Sequence, residues 1–230
     1  MIAWCLIFLF VVGPARAESD WDRLSKDLQK LTEPQYSAWF VGSLVAGGLT
    51  SHWDEAIEYN LSMGSLDPVV QTLDKFSDPL VMFPLASTFR IVTKMNHVSV
   101  LDTVSSDLLR SVVLVNCLVA PIKFIFNRQR PEDGGGFSFP SGHAANFAAV
   151  ATVVARNYNG IYRFGAVAVS GMVFSSRLRG RHHYLSDVVS GAAIGSLTGW
   201  ICSRKEYPSS LGMTFSLNHT SMLNLVWLIS

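Results

Sequence analysis

Three short segments gather the side chains able to do chemistry. "KFIFNRQRP" places Lys123, six further residues, then Arg130-Pro131. "FPSGHAANFAAV" carries Pro140, Ser141, Gly142 and His143 at the head of an apolar run. "SRLRGRHHYLSD" sets Ser176-Arg177, five residues, His183, three residues, then Asp187. Lysine and arginines converging on one end of a bundle repel one another unless an anion sits among them. The planar guanidinium fork matches phosphate oxygens, and lysine adds a mobile point charge. Pro-Ser-Gly before a helix offers a hydroxyl and free backbone N–H groups, a ready anion cradle, with Gly142 allowing close approach. His143 falls on that first turn. The spacing of His183 and Asp187 lets the carboxylate fold back on the imidazole and fix its tautomer. Two histidines around an anion site, one of them buttressed, give a nucleophile and a general acid. No metal-ligand spacing of Asp or Glu accompanies them, so the chemistry indicated is phosphoryl transfer with Lys and Arg neutralising the oxygens.

Something must bring those segments together. The sequence offers apolar stretches at Tyr36–Thr50, Pro79–Val92, Leu108–Phe126, Ala144–Asn157, Ile161–Phe174 and Val188–Cys202, separated by polar, turn-rich joints. Asp67-Pro68 and Asp78-Pro79 mark helix starts, a capping side chain before Pro at the first helical position. Trp21, Leu24, Leu28 and Leu31 recur at helical spacing with polar residues between, predicting an amphipathic helix that Pro34 ends. The expected fold class is all-α, a bundle of about six core helices preceded by an amphipathic helix, in one domain.

The stretches, 14 to 19 residues long, fall short of the roughly 20 that span a bilayer. Two features favour the membrane nonetheless. Gly191, Gly195 and Gly199 form a small-xxx-small ladder of the kind that packs helices in lipid. Arg156, Arg163, Arg204 and Lys205 flank one set of helix ends, as cytoplasmic ends do. A soluble helical bundle stays open as the alternative.

The 230-residue chain carries a net charge of +1, so no global basic field points to nucleic acid. Charged residues make up 15% and hydrophobic ones 49% of it. That excess of apolar residues over a soluble domain agrees with burial in a bundle or a bilayer. Residues 1–17 read as a secretory signal ending in Ala15-Arg16-Ala17, with an uncleaved anchor as the alternative. Residues 18–205 form the domain, its motif core at 105–203, and residues 206–230 form a tail of undetermined structure. Cys117 and Cys202 sit in apolar stretches and read as small hydrophobes. His52, His97 and His219 read as structural, and Arg128 as either a solvated or a headgroup-facing charge.

The ordered set K-x6-R-P, P-S-G-H and S-R-x5-H-x3-D resembles the signature of the type 2 phosphatidic acid phosphatase (PAP2) and vanadium haloperoxidase superfamily. The resemblance implies that His183 attacks phosphorus and forms a phosphohistidine, Asp187 positions it, and His143 protonates the leaving oxygen. It implies that Lys123, Arg130, Ser141, Gly142 and Arg177 bind the phosphate, with no metal and no cofactor. The chain departs from the pattern at Arg181, where Gly is frequent, and at Leu185, where Pro is frequent. Arg179, Arg181 and His182 add positive charge, expected to meet a second phosphate or an anionic headgroup. The implied activity is hydrolysis of a lipid phosphate: undecaprenyl diphosphate, phosphatidate, phosphatidylglycerol phosphate or a lipid A phosphate. The implied setting is a bacterial inner membrane with the site facing the periplasm. The alternatives are a soluble periplasmic acid phosphatase, a vanadate-dependent haloperoxidase and a non-enzymatic lipid-binding protein. Oligomeric state is not legible.

Overall fold

Which residues end up at the active end is decided by how closely two helices approach. In the computed structural model, which describes residues 18–61, 72, 76, 78–96, 99–132, 135–203, 211–215 and 225–229, these are α6 (Gly142–Asn157) and α8 (Leu185–Cys202). The glycine ladder lies along their seam. A Cβ added at Gly191 would stand 2.4 Å from the Ser141 carbonyl oxygen, at Gly195 2.0 Å from that of Ala145, and at Gly199 2.5 Å from that of Ala149. No side chain fits at these positions, so the backbones touch, as small-residue seams allow. Ile194 and Leu197 of α8 and Ala145 and Ala149 of α6 are fully buried beside this seam.

The remaining helices pack around that pair. α1 (Asp20–Lys30) begins at Ser19, whose hydroxyl accepts from the Asp22 N–H while the Asp22 carboxylate takes the Ser19 N–H, both at 3.1 Å. α2 (Pro34–Thr50) runs through a 3-10 turn (Ser51–Trp53) into the short α3 (Asp54–Leu61), and lies on α8, where Ser190 donates to the Ser43 carbonyl at 2.9 Å. α4 (Pro79–Met95) is capped by Asp78, which accepts from the Leu80 N–H at 2.7 Å. α5 (Ser99–Phe126) follows, burying Val112, Leu114 and Val115 completely. α7 (Ile161–Arg179) packs on α6. Beyond the bundle, β1 (Leu211–Phe215) and β2 (Leu225–Ile229) pair antiparallel, with Leu211 opposite Ile229.

The all-α expectation is met, with three corrections. The tail contributes a two-stranded ribbon. α3, too short and polar to announce itself, joins the six core helices. α5 begins nine residues before the expected Leu108, because its charged residues are buried rather than terminal. Arg110, wholly buried, pairs with Asp27 of α1 and with Asp107 at 2.5 Å, and donates to the Cys202 carbonyl at 2.8 Å. Arg90 of α4 similarly pairs with Asp20 of α1 at 2.8 Å and with Asp102. Both faces of α1 are engaged: Asp27 is 1% and Leu24 of the apolar stripe 3% exposed, while Trp21 and Leu28 of the same stripe are 49% and 42% exposed. A buried ion pair of this kind stands only when each charge is matched.

Two helical segments, Leu101–Phe126 and Leu185–Cys202, are long and apolar enough to cross a membrane, more than the sequence stretches suggested. The signal segment, Asp67-Pro68, His97, Arg204, Lys205 and His219 lie outside the described residues.

Candidate active site

The ends of α5, α6, α7 and α8, joined by the loop of residues 127–141, meet at one end of the bundle. The glycine seam aligns two of these ends: the Ser141 N–H donates to the Asp187 carbonyl at 2.9 Å. Ser141 is the N-cap of α6, its hydroxyl accepting from the Ala144 N–H at 3.4 Å. The backbone N–H groups of Gly142 and His143 thus belong to an unsatisfied first turn, and Lys123 packs alongside, its Cε 3.6 Å from where a Gly142 Cβ would lie. Lys123 is anchored by donating to the Phe137 carbonyl at 2.6 Å.

His183 follows the C-terminus of α7, where both its N–H and that of His182 donate to the Arg177 carbonyl at 3.2 Å. Arg181 takes a positive φ of 51° in that tight turn. The His183 and His143 rings lie 6.5 Å apart between centroids. His183 is 3% and Arg177 7% exposed. The structure thus gathers Lys123, Ser141, Gly142, His143, Arg177, His183 and Asp187, with Arg130 tied in through its N–H to the Gly135 carbonyl at 2.9 Å. The outer cations differ. Arg179 is exposed. Arg181 is held by Glu58 of α3, its Nε 3.0 Å from the carboxylate, so its charge is already matched within the protein.

One expected contact is indirect. Asp187 does not reach His183 directly: Nδ1 and Oδ2 stand 3.7 Å apart. Ser138 bridges them, donating to Asp187 Oδ2 at 2.5 Å with its oxygen 3.3 Å from His183 Nδ1. A serine that donates to the carboxylate must accept from the imidazole, which puts the proton on Nδ1 and leaves the Nε2 lone pair free.

The Asp187 carboxylate is fixed from two further sides. The Tyr184 N–H donates to Oδ2 at 2.9 Å, closing a capping box at the start of α8. Arg128 donates to Oδ1 at 2.9 Å and to the Ser186 hydroxyl at 2.6 Å, while its other nitrogen meets Asp54 at 2.8 Å. Asp54 in turn accepts from the Ser186 N–H at 2.9 Å and hydroxyl at 2.6 Å. Arg128 also lies over the Tyr184 ring, 4.1 Å from its centroid. The solvated or headgroup-facing reading of Arg128 is replaced: it is a strut behind Asp187. Sequence reasoning passed over Ser138, Asp54 and Ser186 altogether. Ser138 stands only three residues before Ser141 and carried a weak signal; Asp54, on a short helix far upstream, carried none.

Burial dominates the electrostatics. It pushes His183 down to about 4, opposed by Asp187 and reinforced by Lys123 and Arg177. Burial likewise takes His143 to about 4, opposed by Asp78, 3.7 Å from its Nε2, and reinforced by Lys123 and Arg130. Both imidazoles are therefore neutral near neutral pH. Histidines with folded values below their unfolded 6.5 bind fewer protons folded than unfolded between those limits, so stability falls as pH drops from about 6.5 toward 4. Thermal unfolding in that window should show the loss. The double variant His143→Asn, His183→Asn should flatten the slope, and added inorganic phosphate should offset it by stabilising the imidazolium forms; an unchanged slope in the double variant would reject this assignment.

A family model described as PAP2 superfamily matches residues 106–209. A curated relative, a lipid A 1-phosphatase of Porphyromonas gingivalis, is 35% identical over 89 residues, 37% of this chain. The chain's match spans about a fifth of that relative's length, 20%. Two solved structures share the fold. One is the transmembrane PAP2-type phosphatidylglycerolphosphate phosphatase of Bacillus subtilis, with a TM-score of 0.61 at 20% identity, over 72% of this chain and 92% of that one. The other is Aquifex aeolicus LpxE, with a TM-score of 0.53 at 23% identity, over 65% and 93%.

Proposed function

We propose, from the match of a PAP2-superfamily model to residues 106–209, that the chain is a membrane-bound phosphatase that hydrolyses a lipid phosphate through a phosphohistidine. The observation that supports this most directly is the bridge Asp187–Ser138–His183, which leaves the Nε2 lone pair of a buried imidazole free, with the His143 ring 6.5 Å away between centroids.

In the first step Nε2 attacks phosphorus and the ester P–O bond breaks. His143 supplies the proton to the departing oxygen. Its low value is compatible with this role, because a phosphate dianion entering among Lys123, Arg130 and Arg177 offsets the charges that disfavour the imidazolium, and Asp78 stands 3.7 Å from its Nε2. In the second step neutral His143 takes a proton from water, water oxygen attacks phosphorus, and the P–N bond breaks to release phosphate. Lys123, Arg130, Arg177 and the first turn of α6 hold the phosphate oxygens as charge develops. Asp187, fixed behind the Ser138 bridge with its carboxylate 3.7 Å from Nδ1, stabilises the positive charge His183 carries in the intermediate.

The lipid setting rests on the outer surface. α2 exposes Val41, Val45 and Leu49 at 56%, 53% and 68%, and α7 exposes Phe164 and Val167 at 71% and 63%. Such contiguous apolar faces are foreign to a water-exposed bundle and ordinary against lipid. The catalytic end and the Arg156–Arg163 joint lie at opposite ends of α6 and α7. With that basic joint on the cytoplasmic side, the site faces the periplasm. Phosphate release by purified protein across a panel of phosphatidate, phosphatidylglycerol phosphate, undecaprenyl diphosphate and lipid A tests the substrate class. Release only from small water-soluble esters, from protein extracted by alkaline wash, would replace this reading with the soluble phosphatase.

The strut behind Asp187 makes a prediction of its own. Arg128→Gln or Asp54→Asn should lower kcat about 10- to 100-fold with KM within about threefold, since the phosphate-binding groups are untouched while the nucleophile loses its fixed orientation. Steady-state kinetics on one lipid phosphate checks this, and a change confined to KM would contradict it.

A further inference from the structure

α7 packs on α6 but makes little contact with α8. Between them lies a groove of about 590 Å³, floored by Ala148, Ala151 and Ala155 of α6. Ala148 lies six residues beyond Gly142, so the groove begins about 9 Å from the catalytic end and descends about 10 Å along α6 to its far end. Its walls, including Val167, Phe174 and Ala192, carry no charge until the foot, where Arg156 and Arg163 stand together. The two guanidiniums differ. Arg163 is exposed and donates through Nε to the Ala155 carbonyl at 2.9 Å. Arg156 lies over the Trp200 ring, 3.6 Å from the centroid, and its buried Nε has no hydrogen-bond partner among the described residues. No carboxylate lines the groove. An apolar trough of small side chains that ends in two arginines and an indole is complementary to one kind of molecule: an acyl chain under an anionic headgroup. Indole at the headgroup level and paired cations beside it are how anionic lipids are held between helices.

We propose that this groove is a binding site for an anionic phospholipid, separate from the catalytic site, with the acyl chain along α6 and the headgroup phosphate between Arg156 and Arg163. The site is at the opposite bilayer surface from His183, so its occupant is a lipid of the other leaflet and not the substrate. The inference rests on the membrane setting proposed above, and the experiment keeps the two apart.

The test uses the full chain in vesicles containing dibrominated phosphatidylglycerol or dibrominated phosphatidylcholine. The Trp200 signal is isolated as the difference between wild type and Trp200→Phe. Phosphatidylglycerol is expected to quench that signal at about thirtyfold lower mole fraction than phosphatidylcholine, the preference two cations supply. Arg156→Gln with Arg163→Gln should abolish the preference while phosphate release in detergent stays within twofold of wild type. The exposed Arg163→Gln alone, which leaves the packing intact, should reduce it about fivefold. Equal quenching by both lipids overturns the proposal. So does co-purification of two differently tagged copies that the Arg156→Gln, Arg163→Gln pair abolishes without any lipid preference, since the occupant is then a second chain. Failure of the protein to float with the vesicles would instead reject the membrane setting itself.

Discussion

His183→Ala is expected to lower phosphate release by at least about 10³-fold on every substrate, and to do so through kcat. The reason is geometric. Nδ1 of His183 is occupied by Ser138, which leaves the Nε2 lone pair free to attack phosphorus. Lys123, Arg130 and Arg177 survive the substitution, so substrate should still bind. The neighbouring His182→Ala should retain activity within about tenfold, because Asp187 and Ser138 serve His183 alone. Acid-labile ³²P trapped on the wild-type chain, and absent from His183→Ala, would report the phosphohistidine. His143→Ala should be distinguishable by leaving group: a severe loss on a lipid phosphate, whose alkoxide needs a proton, and a much smaller one on p-nitrophenyl phosphate, whose phenolate does not. Loss of activity in His182→Ala with His183→Ala active would overturn the assignment of nucleophile.

Gly195→Val should cost about 3 kcal/mol or more of stability, enough to remove folded, active protein from the membrane fraction. Its first added carbon would fall 2.0 Å from the Ala145 carbonyl oxygen, a backbone atom that cannot rotate away. The helices would have to separate, and separation undoes the site, since the same seam sets the Ser141 N–H on the Asp187 carbonyl. Gly165→Ala is the control: nothing lies within 4 Å of its added carbon, and removing a helical glycine is neutral or stabilising by about 0.4–1 kcal/mol. Thermal unfolding in detergent, with activity after reconstitution, separates the two. Wild-type stability in Gly195→Val would mean that α6 and α8 do not meet backbone to backbone.

How much of this was legible beforehand depends on whether the signal is local. The glycine ladder was legible because its spacing of four is a property of one helix, and its partner needed only to be another helix with small residues. The caps at Ser141 and Asp78 were legible because capping joins residues two or three apart. The start of α5 was misjudged because a charged residue in sequence looks like a boundary; Asp107 and Arg110 are interior only because α1 brings Asp27 to meet them. Arg128 was ambiguous for the same reason: an arginine between a lysine and an arginine has no visible partner until Asp54 arrives from α3.

The sequence alone determined the candidate groups, their order and their spacing: Lys123 and Arg130, Ser141 to His143, and Arg177, His183 and Asp187. Each segment is held by short-range backbone geometry, so a turn of helix fixes the relation of its members whatever surrounds them. Only the tertiary structure decided what connects one segment to the next. It placed Ser138 between Asp187 and His183, Arg128 and Asp54 behind them, Glu58 on Arg181, and an apolar groove at the far end of α6. Those relations depend on charges and hydroxyls meeting across helices from distant parts of the chain. A buried polar group accepts whichever partner packing delivers to it, and no spacing along the chain names that partner in advance.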